Sequence, residues 1–334
     1  TVTLAPNTLS NVWVVQNSAG NTVTLTQGTG ANVVIPNGGI RMVATDGAGS
    51  GAAVTDVLDV LGGTGNVGLG SGALGTGLTT GTDNVAIGHD AGDALTSGSD
   101  NVFIGDAAGS ATTTASNNVG VGSEALAVNT TGANNTAVGA LSLDANTTAD
   151  SNTGLGYAAL TANTTGAGGT AVGTNALLSL TTGNENTAVG FNALDAATTG
   201  AVNTAVGAYA LSAVTTAANN TGIGYSALLA NTAANNTAVG SNALAANTTG
   251  TRNVAFGYAA LDANTTASYN SAFGTFSLSD NTTGANNTAL GYYALAVNTT
   301  ASDNTAVGYQ ALGANTSGTR NTATGRSALT TATT

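Results

Sequence analysis

The sequence predicts an all-β fold, a β-solenoid that follows a small antiparallel β domain. Three observations predict it: a tandem repeat with a short fixed period, a turn-forming composition, and very little charge. Charged residues make up 6% of the 334 residues, against about 25% in an ordinary globular domain. Apolar residues nevertheless make up 42%, so the composition is not that of a disordered chain.

The repeat is marked by a glycine that ends an Asn-x-small-apolar-Gly pentapeptide. Its sixteen copies end at Gly70, Gly88, Gly105, Gly122, Gly139, Gly156, Gly173, Gly190, Gly207, Gly224, Gly240, Gly257, Gly274, Gly291, Gly308 and Gly325. Thirteen of the fifteen intervals are 17 residues, one is 18 and one is 16. Self-similarity at a short period is typical of stacked repeats, so we predict sixteen coils with a 17-residue period.

Each copy has the residues of strands and turns and not those of a helix. An apolar residue precedes the glycine in fifteen copies, and Leu follows four residues later in fourteen. Recurring Gly, Asn and β-branched residues disfavour a helix, whereas two short strands and two turns fit the spacing. Because side chains alternate along a strand, we expect the residue before the glycine, such as Val239, to face the core with Leu244.

Stacked coils bring identical residues into rows along the axis. Asn and Thr in such rows can bond to each other and to the backbone of the turns. The Asn-Thr-Thr triplets at residues 129–131, 146–148 and 163–165 match N-glycosylation acceptors, but we interpret them as turn ladders. A one-residue slip would turn core side chains outward, so the 16- and 18-residue intervals are expected to change a turn and not the strand register.

The core of a single coil is thin, which favours an oligomer. One coil supplies about one large apolar side chain and one Leu, and their burial must offset the entropy cost of ordering 17 residues. A nearly uncharged surface favours association. We therefore expect a homotrimer in which a row of small residues packs against the other chains. Members of this row are Ala137, Ala171, Ala188 and Ala205.

The repeat resembles those of two kinds of fibrous protein. The Asn-Thr-Ala-Val-Gly pentapeptides at residues 186–190, 203–207 and 304–308 resemble the pentads of trimeric autotransporter adhesin heads, which are left-handed β-rolls. The longer string Asn-Thr-Ala-Val-Gly-x-x-Ala-Leu-x-x-Asn-Thr-Thr-Gly is more similar to the repeat shafts of trimeric bacteriophage tail-fibre proteins. The similarity covers roughly residues 66–329.

The resemblance implies a structural fibre shaft of a virion tail fibre that presents or contributes to host-surface attachment. The alternative is a bacterial surface adhesin or a self-assembling extracellular filament subunit, located at the cell surface. Either implies other fibre or filament subunits as partners at both ends.

Residues 1–62 do not repeat and are predicted to form an N-terminal β module that caps or attaches the repeat shaft of residues 63–334. Strand-like runs separated by turn clusters indicate this module. They cover residues 12–15, 22–26, 33–35 and 40–44. At the other end, the coil that holds Leu329 would have an open edge, which we expect another chain or a downstream domain to cover.

Residues that carry catalytic or metal chemistry are scarce. The chain has no Cys and one His, and its net charge is −12 with four basic residues. We therefore predict no enzyme, no cofactor, no metal site and no nucleic-acid partner, and the short apolar runs predict no membrane insertion. We interpret His89 as an occupant of the variable position after the glycine. The acidic residues of the first coils are Asp83, Asp90, Asp93, Asp100 and Asp106, and they lack the calcium-binding solenoid nonapeptide.

Aromatic residues recur at the position directly after the repeat glycine. This candidate aromatic stripe consists of Tyr157, Phe191, Tyr225, Tyr258, Tyr292 and Tyr309. Tyr209, Phe276 and Tyr293 occupy the next position. Two interpretations stay open: the rings fill grooves between the chains of a trimer, or they form an exposed surface that contacts a host-surface glycan.

Overall fold

The computed structural model describes residues 1–4, 10–30, 32–35, 37, 40–45, 47–48, 54–61 and 65–330. The chain forms two compact units, Thr1–Thr148 and Ala149–Thr334. All regular elements in the described residues are β-strands, and the same repeating coil occurs in both units. The predicted fold, an all-β solenoid that follows a small antiparallel region, is therefore confirmed. The domain boundary after residue 62 stays a prediction.

The first unit begins with a small sheet region. Its strands are β1 (Val2–Thr3), β2 (Val12–Gln16), β3 (Val23–Thr26), β4 (Val33–Ile35), β5 (Ile40–Thr45) and β6 (Val54–Leu61). Strands β3 and β4 pair antiparallel, as do β2 with β5 and β5 with β6, whereas β1 lies parallel to β3. Buried Leu25, Val33, Ile35 and Val43 form its core. The four predicted strand runs are confirmed.

The sheet changes direction where the repeat begins. Strand β6 pairs antiparallel with β7 (Asn66–Leu69), and β7 starts a parallel in-register ladder. The ladder of the first unit continues through β8 (Val85–Ile87), β9 (Val102–Ile104), β10 (Val119–Val121) and β11 (Thr136–Val138). The 18-residue interval separates β7 from β8, yet Val67 still pairs with Val85.

The second unit consists of coils alone in its described residues. Its strands are β12 (Thr153–Leu155), β13 (Thr170–Val172), β14 (Thr187–Val189), β15 (Thr204–Val206), β16 (Thr221–Ile223), β17 (Thr237–Val239), β18 (Val254–Phe256), β19 (Ser271–Phe273), β20 (Thr288–Leu290), β21 (Thr305–Val307) and β22 (Thr322–Thr324). Each pairs parallel with the next. Across the 16-residue interval Ile223 pairs with Val239, so the strand register is kept, as predicted.

Each coil contains one strand of three or four residues, and the predicted second strand around the Leu does not form. In the coil of residues 186–202, Asn192, Leu194 and Val202 have φ angles of 50°, 52° and 58°. These left-handed residues fold the rest of the coil into turns. The turns still bond to neighbouring coils, because the Leu194 N–H donates to the Ala210 carbonyl at 2.9 Å.

The coil interior is lined by Ala, Leu and Asn. Ala188 and Leu194 are fully buried, whereas Val189 faces outward and is half-buried. Leu244 likewise lies inside and Val239 outside. The prediction that the valine row faces the core is therefore wrong, because the middle residue of the strand points inward and its two neighbours point outward.

The small row also lies in a different place from the one predicted. Ala137, Ala171, Ala188 and Ala205 are fully buried inside their own chain, so they cannot pack against other chains. Small residues occur there because the narrow interior must also hold the Leu side chain. The surface that a homotrimer would use is therefore a different one.

Phe103 is an exception to the small row, and its surroundings show how limited the volume of the coil interior is. It occupies the inward position that Ala or Gly holds elsewhere and is fully buried. Gly92 and Gly109 stand where fourteen copies have Leu, and a Cβ added at Gly109 would overlap the Phe103 ring. One aromatic ring thus fills the volume of the missing leucines.

In two internal ladders, Asn residues bond to each other's side chains and to backbone groups of the interior. In the entry ladder, which precedes each strand, the Asn203 N–H donates to Asn186 Oδ1 at 3.0 Å, and Asn203 Nδ2 donates to the Ala217 carbonyl at 2.9 Å. In the turn ladder, Asn146 Nδ2 donates to Asn129 Oδ1 at 2.9 Å. Asn129 and Asn146 are fully buried, which supports the interpretation of the Asn-Thr-Thr triplets as ladders.

Candidate functional site

The aromatic stripe is exposed on the second unit. Each member directly follows a repeat glycine with φ between 129° and 138°, and this backbone conformation ends the strand. The exposed fractions are 54% for Tyr157, 46% for Phe191, 56% for Tyr225, 49% for Tyr258, 45% for Tyr292 and 42% for Tyr309. All six predicted residues therefore reach the surface from the same position of their coils.

Rings from the next position interleave with the stripe. Tyr209 packs edge-on against Phe191 and Tyr225, with ring centroids 5.5 Å and 6.1 Å apart. Tyr292 and Tyr309 stack with centroids 5.7 Å apart. The rings are therefore held in place by each other, which lowers the entropy cost of binding a ligand.

Guanidinium groups already lie on aromatic rings of this unit. The Arg326 guanidinium carbon is 5.5 Å from the centroid of Tyr309, a member of the stripe. Arg252 lies equally close to Tyr269 and donates from Nη1 to the Tyr269 hydroxyl at 2.6 Å. Such contacts are typical of cation–π attraction, which acts within about 6 Å of the centroid.

Beside the stripe lies a surface groove of about 620 Å³. Its lining is Asp262, Ala263, Phe276, Ser279, Asp280, Tyr293, Ala296, Val297, Gln310, Gly313, Ala314 and Thr330. The rings of Phe276 and Tyr293 stack with centroids 5.0 Å apart and planes at 29°. Bulky residues two positions after the glycine form one wall, and the residues five and six positions after it, which are mostly small, form the rest of the lining.

Two carboxylates belong to this groove, and sequence reasoning missed both. Burial raises the pKa of Asp262, the backbone N–H groups of Asp262 and Ala263 lower it part of the way, and the charge of Asp280 raises it again. The Oδ1 atom of Asp262 is buried and accepts no hydrogen bond. A signal was present, because Asp262 and Asp280 stand one coil apart at the fifth and sixth positions after their glycines.

Two further aspartates provide a comparison for Asp262. Asp144 and Asp195 stand at the same coil position, and burial raises the pKa of both. Their Oδ1 atoms also accept no hydrogen bond. Neither lines the groove, so burial of a carboxylate at this position is a general property of the coil. Of these three aspartates, only Asp262 lies beside stacked rings and a second acid in the groove.

His89, Asp90 and Asp106 meet at the surface of the first unit, whereas Asp83 and Asp100 stand at a different coil position, five residues before the repeat glycine. His89 Nδ1 lies 3.1 Å from Asp106 Oδ1 and 3.3 Å from Asp90 Oδ2. Burial, and then the charge of Asp90, raise the pKa of Asp93. Within the described residues no three His, Asp or Glu side chains meet in a metal-binding arrangement.

An apolar ridge runs along the outer face of the strands in the second unit. It is formed by the residue before each glycine, and its most exposed members are Leu155, Ile223, Phe256, Phe273 and Leu290, at 37–49% exposure. Phe256 and Phe273 stack with centroids 5.2 Å apart and planes at 7°. We call this row the outer ridge.

The chain was also compared with known proteins. No family model matches it, and no curated protein and no solved structure matches it. The described residues contain no helix that is long and apolar enough to cross a membrane.

Proposed function

We propose that this protein is a structural fibre protein whose coils form the shaft of a virion tail fibre and contribute to attachment at a host surface. In this proposal the chain is a homotrimer that joins other fibre subunits at both ends. The repeat supports the proposal of a shaft, because each coil adds its strand in register to the coil before it. Repeat proteins extend in one direction in this way.

The outer ridge is the observation that carries the proposal. Phe256, Phe273 and Leu290 are 39–49% exposed, although the core of their own coils is already closed by Ala and Leu on the other side of the strand. Contiguous exposed apolar rows mark protein–protein contacts in soluble proteins. A second and a third copy that present the same ridge would cover it.

The aromatic stripe has a separate role in this proposal. If the outer ridge forms the contact between chains, the stripe stays on the outside of the fibre. Its ring faces then contact a host-surface glycan, which is the second of the two interpretations of these residues.

The experiment replaces three members of the outer ridge, Phe256, Phe273 and Leu290, with Thr. Thr is compatible with this position because Thr324 occupies it in another coil. Analytical ultracentrifugation at micromolar concentration should give a trimer for the unchanged protein and a monomer for the variant. An unchanged protein that sediments as a monomer would contradict the proposal.

The matched control places Thr at three positions of the stripe: Tyr225, Tyr258 and Tyr292. Thr174 and Thr275 occupy the same position in other coils. This variant should remain a trimer. Its dissociation would instead place the rings between the chains, which is the first interpretation.

Electron microscopy distinguishes the kinds of fibre. Fibres of uniform length attached to virus particles support the tail-fibre proposal. Free filaments of indefinite length would favour the filament subunit, and fibres anchored to a bacterial surface would favour the adhesin.

A further inference from the structure

We propose that the groove between Phe276, Tyr293, Asp262 and Asp280 binds an organic cation, a quaternary or alkyl-substituted ammonium group. This inference does not rest on the fibre function, because it follows from the chemistry of the groove lining alone.

The aromatic wall provides the first argument. Phe276 and Tyr293 stack with centroids 5.0 Å apart, and both rings line the groove. Both are half-buried, which fixes their orientation before a ligand arrives. The negative face of an aromatic ring attracts ammonium groups, and their alkyl substituents pack against it.

The carboxylates provide the second argument. Asp262 and Asp280 both line the groove, and the charge of Asp280 disfavours that of Asp262. No Lys, Arg or His is among the lining residues. A cation between the two acids removes this repulsion.

The protein itself provides the third argument. Its own guanidinium groups lie 5.5 Å from ring centroids at Tyr309 and Tyr269. Tyr309 belongs to the coil that also contributes Gln310 to the groove. Cationic side chains thus already lie against rings of this unit, and the groove offers rings and acids together.

The test measures binding of choline by isothermal titration calorimetry at pH 7 and low ionic strength. A ligand of this size should bind with a dissociation constant on the order of 1–10 mM. Its neutral isostere 3,3-dimethyl-1-butanol should bind at least about tenfold more weakly, because it has the same shape and no charge. Equal binding of the two, or no choline binding at 100 mM, would overturn the proposal.

The variants test the residues. Asp262→Asn with Asp280→Asn should weaken choline binding by about tenfold, and Phe276→Leu should weaken it by about threefold or more. The control is Asp195→Asn, which removes an equally placed buried carboxylate outside the groove and should leave the affinity unchanged. Circular dichroism melting shows whether each variant is folded. If the double aspartate variant does not fold, Phe276→Leu still tests the groove.

Two further outcomes would contradict the proposal. One is choline affinity that falls equally in Asp195→Asn, which would mean that net charge and not the groove attracts the cation. The other is maltose binding that is tighter than choline binding and is lost in Phe276→Leu, which would make the groove a saccharide site.

Discussion

The interior of the coil and its outer stripe differ in how much variation they accept. The interior positions hold almost the same Asn, small residue and Leu in every coil, whereas the position after the glycine holds Ser, His, Asp, Ala, Tyr, Thr, Phe or Arg. Inside, each side chain meets its own counterparts above and below, so a change must suit two neighbours. Outside, it meets solvent and the neighbouring surface side chains, so the sequence is free to vary.

The largest difference in tolerance is expected between two adjacent residues, a repeat glycine and the stripe residue that follows it. Gly190 has φ +135°, and an added Cβ would lie 2.7 Å from the Gly207 carbonyl carbon. We expect Gly190→Ala to lower the free energy of unfolding by about 4 kcal/mol or more, because both backbone strain and overlap act there. Phe191→Ala should cost less than about 1.5 kcal/mol, the value of one aromatic contact. Urea denaturation measures both, and similar costs would contradict the comparison.

The next largest effect concerns the interior of the first unit. Phe103→Ala should lower the free energy of unfolding by about 3–5 kcal/mol through the cavity it leaves. Adding Gly109→Leu restores the residue found in fourteen other copies and should recover a large part of that loss. Thermal and urea unfolding of the two variants would check this, and a double variant less stable than Phe103→Ala would show that the ring does not replace the leucines.

The two Asn ladders should differ in how much a substitution lowers the free energy of unfolding. Asn253 Oδ1 accepts the Asn270 N–H at 3.0 Å, so Asn253→Leu leaves a buried backbone donor unpaired and should cost about 1–3 kcal/mol. Asn264 bonds to the side chains of Asn247 and Asn281 and to the Ala267 carbonyl. Asn264→Leu should cost less, since Leu180 already occupies that position. Urea denaturation should rank the two, and the reverse order would contradict this account.

The smallest effect is a pH dependence at Asp195. Burial raises the pKa of this carboxyl in the folded protein, so folding favours its protonated form. Its contribution to stability therefore declines as the pH rises from below the unfolded value of 3.8 through the raised folded pKa. Asp195→Asn should slightly raise the midpoint temperature of thermal unfolding at pH 7 and leave this temperature unchanged at pH 3. A variant that is less stable at pH 7 would show that the charged form is stabilised in the fold.

Much of the fold follows from the sequence because equal spacing brings equal positions into register. The 17-residue period, the parallel stacking, the Asn and Thr rows and the location of the length changes in turns all depend only on that spacing. The exposed aromatic stripe follows as well, since it occupies one position of the coil.

Only the tertiary structure decided which way each strand faces. A three-residue strand has two possible settings, with either Ala or its two neighbours inside, and the period is the same for both. The left-handed residues Asn192 and Leu194 select the first setting by turning the Leu inward, which leaves room for nothing larger than Ala beside it. The groove depended on the same choice, because Asp262, Phe276 and Asp280 come from two coils and meet only once the turns are folded.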